Sequence, residues 1–283
     1  MYDREKARLK RIEIFEDTLK CCEQDLYLKQ AVHDAKKTTW VYLADDYPLC
    51  GPSRQFETEI TVTKHRTFEA AEALKAADPT AKIAVLNFAN AFYPGGGVTV
   101  GAGAQEECLC RCSTLYPVLH CRYPMVNFYG LHRQIGDPRA TDAVIYTEGV
   151  VVFKSDTPEP EIRDRGEWFT VDVMTCAAPD LRTKPNRYVP LENGGSEMDR
   201  EELLACHIRR TAHLLTAAAA RGADTLVLGA FGCGAFQNDA GVVAEAFRTA
   251  LEGFRGRFRK VEFAVHCSPR SDGNYRAFAE AFR

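Results

Sequence analysis

Residues 81–107 read AKIAVLNFANAFYPGGGVTVGAGAQEE, and this stretch decides the fold. Its first nine residues, Ala81–Ala89, form a near-continuous apolar run, the pattern of a strand covered on both faces of a sheet. A Pro-Gly-Gly-Gly turn then ends regular structure. The next segment, QEECLCRCSTLYPVL, reads as a helix ended by Pro117. A strand, a glycine loop and a helix in that order belong to an α/β fold, with the loop at the carboxyl edge of the sheet, where ligands bind.

The same order recurs downstream. FTVDVMTCAA reads as a buried strand, and EELLACHIRRTAHLLTAAAARG as the longest helix, stopped by Gly222. DTLVLGAF is a strand, GCGAFQND a loop and GVVAEAFRTALEG a helix; KVEFAVHC closes the sheet and YRAFAEAF is a last helix. Upstream, WVYL and EITVT are strands around the break PLCGPSRQ, and TFEAAEALKAAD is a helix stopped by Asp78-Pro79. Residues 3–36 carry the spacing of one or two amphipathic helices. In the middle, DAVIYTEGVVVF reads as a strand pair and SDTPEPEIRDRGE as a charged loop. DLRTKPNRYVPLENGGSE is an exposed loop long enough to suspect a functional one. The expectation is one α/β domain over residues 41–283, with residues 1–40 as a helical extension packed on it.

Composition narrows the function. The chain has 283 residues, 46% of them hydrophobic and 27% charged, with a net charge of −3. That balance gives no electrostatic platform for tracking a long nucleic acid. No apolar run approaches the length that spans a bilayer. The start, MYDREKARLKRIEIFEDTLK, lacks the apolar core of a secretion signal. Eleven cysteines, an odd number without a Cys-x-x-Cys pair, read as reduced thiols in a cytoplasmic protein. Cys108, Cys110 and Cys112 cannot converge on one metal if their segment is helical. Neither a metal nor a cofactor is expected.

The two glycine loops carry the chemistry. Backbone N–H groups of glycine loops approach phosphate oxygens closely, and a helix start adds favourable partial charge. Neither loop has the Gly-Lys-Ser/Thr of a P-loop. LGAFGCGAF only loosely resembles a dinucleotide fingerprint, and Glu252 lies in the following helix rather than at a strand end, so an oxidoreductase is a poor reading. Two loops from different strands suit a diphosphate gripped from both sides; the ordinary alternative makes each a tight strand-to-helix turn.

Acids in a first helical turn commonly just complement the helix dipole, but Glu106 and Glu107 stand beside a glycine triplet. Adjacent helical side chains diverge by about 100°, which argues against a two-carboxylate retaining glycosidase. The pair suits one carboxyl acting on a bond while its neighbour clamps a sugar hydroxyl or orients the loop. A nearby diphosphate and the sibling carboxylate raise the acting group's pKa, and the helix terminus lowers it.

NFANAFYPGGGVTVGAGAQEE resembles the signature of the poly(ADP-ribose) glycohydrolases: a glycine triplet, a short spacer, then Gln-Glu-Glu. LGAFGCGAFQND is similar to the second, diphosphate-binding loop of that family's macrodomain. The match is to the microbial type and runs from about residue 40 onward. The resemblance implies a macrodomain-like three-layer fold with a mixed central sheet, and a hydrolase that cuts ribose–ribose bonds of poly(ADP-ribose) to release ADP-ribose. Glu107 would be the general acid that protonates the departing ribose oxygen and then activates water. Glu106 would hydrogen-bond the terminal ribose and help place Glu107, and Asn90 would contact the same ribose. Gly95, Gly96 and Gly97 would let the chain pass close to ribose and diphosphate, with Val98 and Gln105 completing that side.

Gly232, Cys233, Gly234, Ala235 and Phe236 would wrap the diphosphate with N–H groups, Phe236 packing on the distal sugar. Asn87 stands where some relatives carry an acid. Adenine would lie against Val265 or His266. Two alternatives need the same pocket: a hydrolase of single ADP-ribose units or small ADP-ribose esters, and a non-catalytic ADP-ribose reader, against which the intact Gln105-Glu106-Glu107 speaks. His207 and His213 read as ordinary core or surface histidines, Cys233 as a small loop residue rather than a nucleophile, and residues 203–215 as a core stripe.

Overall fold

Alternation inside the strands lays down two cores. Along β3 (Ile83–Ala89), Ile83 and Val85 belong to one apolar cluster and Ala84 and Leu86 to the other. Val227 and Leu228 in β6 (Thr225–Leu228) split the same way, as do Val173 and Met174 in β5 (Phe169–Ala177). Successive strand residues point to opposite faces, so strands apolar at both parities must be sandwiched between helices. A fully buried Val, Leu or Phe side chain contributes roughly 1.5–3 kcal/mol over its exposed state.

The computed structural model describes residues 2–51, 55–184, 195–267 and 271–283. Its strands also include β1 (Trp40–Tyr42), β2 (Glu59–Thr63), β4 (Val144–Val152) and β7 (Lys260–Ala264), and the described strands form one sheet in the order β1-β4-β5-β3-β6-β7-β2. β5, β3, β6, β7 and β2 run parallel, and β4 runs against both β1 and β5. This is the expected three-layer arrangement around a mixed sheet. One face carries α8 (Arg200–Ala220), α9 (Ala240–Glu252) and α10 (Gly273–Ala281), packed through Leu214, Phe247 and Phe278. The other carries α3 (Thr67–Ala77), α4 (Gln105–Cys112) and α5 (Leu115–Leu119), packed through Phe68, Leu109 and Leu115.

The first residues form two helices, α1 (Tyr2–Gln24) and α2 (Leu26–Thr38), separated where Asp25 accepts from the N–H groups of Tyr27 and Leu28. Leu28, Val32 and Ala35, spaced along one stripe of α2, pack on Val118, Val151 and Phe153. Among the described residues no helix is long and apolar enough to cross a membrane.

Several expected elements change form. The segment from Gln105 breaks at Ser113, not at Pro117, because Ser113 bridges Val152 and the Thr114 N–H donates to Val151 O. Pro117 instead lies in the first turn of α5, where a missing N–H costs nothing. DAVIYTEGVVVF is one strand, β4, with a bulge between Thr147 and Val150; Glu148-Gly149 is extra chain inside the ladder rather than a hairpin turn. The longest described helix is α1 with 23 residues, ahead of α8 with 21. Between Arg122 and Ile135, where the sequence marks no element, two helical turns, α6 (Arg122–Pro124) and α7 (Leu131–Ile135), flank a π-helical stretch, Met125–Gly130, that buries Phe128 and Tyr129. Most of the suspected loop DLRTKPNRYVPLENGGSE lies outside the described residues. Its start does not: Asp180 and Arg182 are buried against each other rather than exposed.

Candidate active site

The parallel strands end on one edge of the sheet, and the segments leaving them enclose a cavity of about 510 Å³. Asn90 follows β3, Ala230–Phe236 follow β6, Val265 and His266 follow β7, Arg66 and Thr67 follow β2, and Arg182 lies beyond β5. The start of α4 forms another wall with Ala104, Gln105, Glu106 and Glu107.

Gln105 is spent on architecture. Its Oε1 accepts from the Phe88 N–H at 2.9 Å, and its Nε2 donates to Leu86 O at 2.7 Å and Thr67 Oγ1 at 3.0 Å. One side chain thus ties α4 to β3 and to α3. Glu106, at 3% exposure, is also fully engaged. The Asn90 N–H donates to its Oε2 at 2.7 Å, and the Gly95 N–H and Asn87 Nδ2 donate to its Oε1 at 3.2 and 3.3 Å. Glu107 is held on one side only: the Gly97 N–H donates to Oε1 at 2.9 Å, while Oε2 is buried with no partner.

Although the two side chains leave the helix in different directions, both carboxyls reach the same loop. Gly96 has φ +56°, and a Cβ there would stand 2.5 Å from Glu107 Oε1 and 3.1 Å from Glu106 Oε2. Only glycine fits. Burial pushes the Glu106 carboxyl well above its ordinary range, with the Glu107 charge adding to the effect and N–H donors from Asn90, Asn87 and Gly95 opposing it. Burial likewise raises Glu107, against the N–H groups of Gly97, Glu107 itself and Ala104 and the charge of Arg111.

The triplet's backbone donors turn inward. The N–H groups of Gly95 and Gly97 serve the protein's own carboxylates, and those of Gly96 and Val98 donate to Tyr93 O and Gly95 O. Gly96 is part of the cavity wall, whereas Gly95 and Gly97 are buried behind it and Val98 is packed in the core. Asn90 lines the cavity, but its Oδ1 already accepts from the N–H groups of Phe92 and Tyr93. Asn87 faces Glu106 and Thr175 instead of the cavity.

The second loop is organised from behind by Asn238. Its Nδ2 donates to the carbonyls of Pro179, Gly232 and Phe236, and its Oδ1 accepts from Nε2 of buried His207 at 2.7 Å. Desolvation lowers the His207 pKa to about 4, so the ring is neutral and serves as a donor here. Gly232, Gly234, Ala235 and Phe236 line the cavity. Cys233 does not: its N–H donates to Ala230 O, its Sγ contacts Phe231 O, and burial pushes its thiol up. The Arg182 guanidinium lies 5.5 Å from the Phe236 ring centre. His213 sits between the carbonyls of Asp142 and Asp46, an ordinary core histidine.

Sequence reasoning misses the charged end of the cavity. Arg66 Nε donates to buried Asp156 at 2.7 Å, and its Nη2 contacts Cys108 Sγ at 3.1 Å. Asp156 also accepts from the Phe68 N–H. Arg66 carries no signal beyond preceding Thr67, and Asp156 hides in a run of charges that reads as solvated loop. Among the described residues no His, Cys, Asp and Glu cluster could hold a metal ion.

With the geometry in place, comparison identifies the group. Residues 12–155 match the family model for the microbial-type PARG catalytic domain. The poly(ADP-ribose) glycohydrolase of Thermomonospora curvata is 33% identical, with TM-score 0.81 over 96% of this chain and 99% of that one. A structure of the T. curvata enzyme bound to the inhibitor ADP-HPD is 34% identical, with the same TM-score and coverage. The Deinococcus radiodurans enzyme in complex with ADP-ribose is 30% identical, with TM-score 0.72 over 88% of this chain and 96% of that one. No curated protein sequence matches the chain. Sequence and shape together make this chain a member of the microbial-type poly(ADP-ribose) glycohydrolases.

Proposed function

We propose that the cavity takes the terminal ADP-ribose unit of poly(ADP-ribose), and that Glu107 is the general acid and base that releases it. Hydrolysis of the polymer is the activity of the family; the assignment of individual residues is our reading. Its main support is the asymmetry of the two carboxyls. N–H donors reach both oxygens of Glu106, whereas Glu107 Oε2 is buried without a partner. Two neighbouring buried carboxyls do not both ionise readily. Burial raises Glu106 further than Glu107, but both Glu106 oxygens face donors, which favour its charged form, so we assign the shared proton to Glu107 Oε2, the oxygen of the pair without a partner.

From there it passes to the departing ribose oxygen as the glycosidic C–O bond breaks. The oxocarbenium-like sugar gains stability from the nearby Glu106 charge. Glu107, now ionised, takes a proton from the water that adds to the anomeric carbon, and the acid is restored. Glu106 orders Asn90 and Gly95 around that sugar, Gly96 allows its close approach, and Gln105 fixes the helix that carries both acids. Gly232, Gly234, Ala235 and Phe236 receive the diphosphate and distal ribose, and Val265 and His266 flank the adenine. Gly95, Gly97, Val98 and Cys233 act from behind the wall. Residues 1–40 are read as an extension of a catalytic domain spanning 41–283. Eleven unpaired cysteines support a reducing, cytoplasmic setting.

The test is incubation with purified poly(ADP-ribose) and chromatography of the products. The wild type releases ADP-ribose. Glu107→Gln loses roughly 10²–10⁴-fold in rate while its ADP-ribose affinity stays close to wild type; persistent turnover would remove Glu107 from its role. Preferential cleavage of a singly modified protein over polymer would favour the mono-ADP-ribosyl reading.

A further inference from the structure

Three successive carbonyls in the link between the glycine triplet and α4 each meet a different arginine. Arg8 Nη1 donates to Val100 O at 3.2 Å, Arg11 Nε to Gly101 O at 2.7 Å, and Arg111 Nη1 to Ala102 O at 2.7 Å. Arg111 belongs to α4 itself, but Arg8 and Arg11 come from α1, about ninety residues away in the chain. The fit is close enough to dictate sequence. Gly101 has φ +79°, and a Cβ there would stand 2.5 Å from the Arg8 carbonyl oxygen.

Other contacts fix α1 in the same register. Thr18 Oγ1 donates to Arg111 O at 2.6 Å, and Lys154, buried beneath the helix, donates to Ile14 O at 3.2 Å and Asp17 at 2.7 Å. Phe15 meets Tyr116 edge-on at 4.8 Å between centres, and Tyr116 is the ring that a side chain at Gly95 would strike.

We infer that α1 is a working part of the active site, with Arg11 and Arg8 as positioning residues that hold the 100–102 turn and so set Glu107 against Gly97. The turn is the linker between the two ends of that hydrogen bond: Gly97 lies three residues before Val100, and Glu107 lies in the first turn of α4. A guanidinium on each carbonyl fixes the peptide planes of the linker, and small misplacements of a catalytic group are costly to rate. The inference rests on Glu107 being the acid for its effect on rate, but not for its effect on the loop.

The test pairs Arg8→Ala/Arg11→Ala with Gly101→Ala, which keeps both arginines but drives the helix off the turn. In each, kcat on poly(ADP-ribose) falls on the order of 10²-fold while ADP-ribose affinity, read by calorimetry, stays within about threefold. Arg11→Lys in the otherwise native chain recovers most of the rate, since an ammonium still reaches one carbonyl. Independently of turnover, amide exchange by NMR shows lost protection at Gly97 in both variants. Unchanged Gly97 protection, or a lower melting temperature with kcat intact, overturns the inference. A wild type inactive on polymer but with Gly97 exposed in the variants would instead indict the substrate reading alone.

Discussion

The two glycine loops look alike in sequence and differ in what consumes their backbone donors. In the first, the N–H groups of residues 95–98 are occupied, two of them by Glu106 and Glu107. It is wrapped around an internal anion pair. In the second, Asn238 gathers carbonyls rather than N–H groups, and Gly232, Gly234, Ala235 and Phe236 face the cavity. The lesson is that a glycine loop at a strand end can serve the protein's own carboxylates before it serves a ligand. On our proposal the first loop sets the chemistry and the second holds what is cut.

The contrast can be broken most severely at Gly96. Gly96→Ala forces a Cβ against both carboxyls at a positive φ, and kcat should fall on the order of 10²-fold, measured as ADP-ribose release. A near-native rate would mean that the carboxyl positions do not matter. At the second loop, Asn238→Ala removes the anchor of three carbonyls and should cost roughly 1–3 kcal/mol, seen as a lower melting temperature. It should weaken ADP-ribose binding more than it slows turnover at saturation.

The carboxyls themselves sharpen the comparison through stability. Glu106→Gln sets an amide against three donors and should destabilise by about 1–3 kcal/mol, whereas Glu107→Gln loses no acceptor that is in use. Because burial raises the carboxyls above the ordinary 4.5, the folded chain keeps a proton on this pair that the unfolded chain releases. The pair's contribution to stability is full below pH 4.5 and is lost as pH rises through the folded-state pKa values. Glu107→Gln therefore flattens the decline of melting temperature with rising pH; an unaltered profile would show that the site holds no extra proton. The smallest effect is Gly234→Ala, where a Cβ meets nothing within 4 Å; stability should change by less than about 0.5 kcal/mol. A large loss there would mean that the second loop is as tightly committed as the first.

Much of this was legible in the sequence because apolar strands and helix stops are local signals. Ile83–Ala89, Phe169–Ala177 and Gly222 declare themselves, and so does the unusual juxtaposition of a glycine triplet with Glu106 and Glu107. What stayed hidden depends on distant partners. Ser113 breaks its helix only because Val152 is beside it. The Gly95 and Gly97 donors turn inward only because α4 folds back over them. Arg66, Asp156 and Arg182 are single charges whose place on the cavity wall no periodicity announces. The bulge in β4 and the π-helical Met125–Gly130 violate the periods by which elements are read at all.

The strand order sets a schedule for synthesis. Ile83–Ala89 is made early, yet its two neighbours, Phe169–Ala177 and Thr225–Leu228, leave the ribosome much later, and Glu59 waits still longer for Lys260. The central strand is thus an apolar ribbon with both edges open through most of translation, the condition that invites aggregation and chaperone capture. A fragment ending near residue 155 would carry Glu106 and Glu107 but neither neighbour of β3, the strand to which Gln105 ties their helix, and could not assemble a working enzyme on its own.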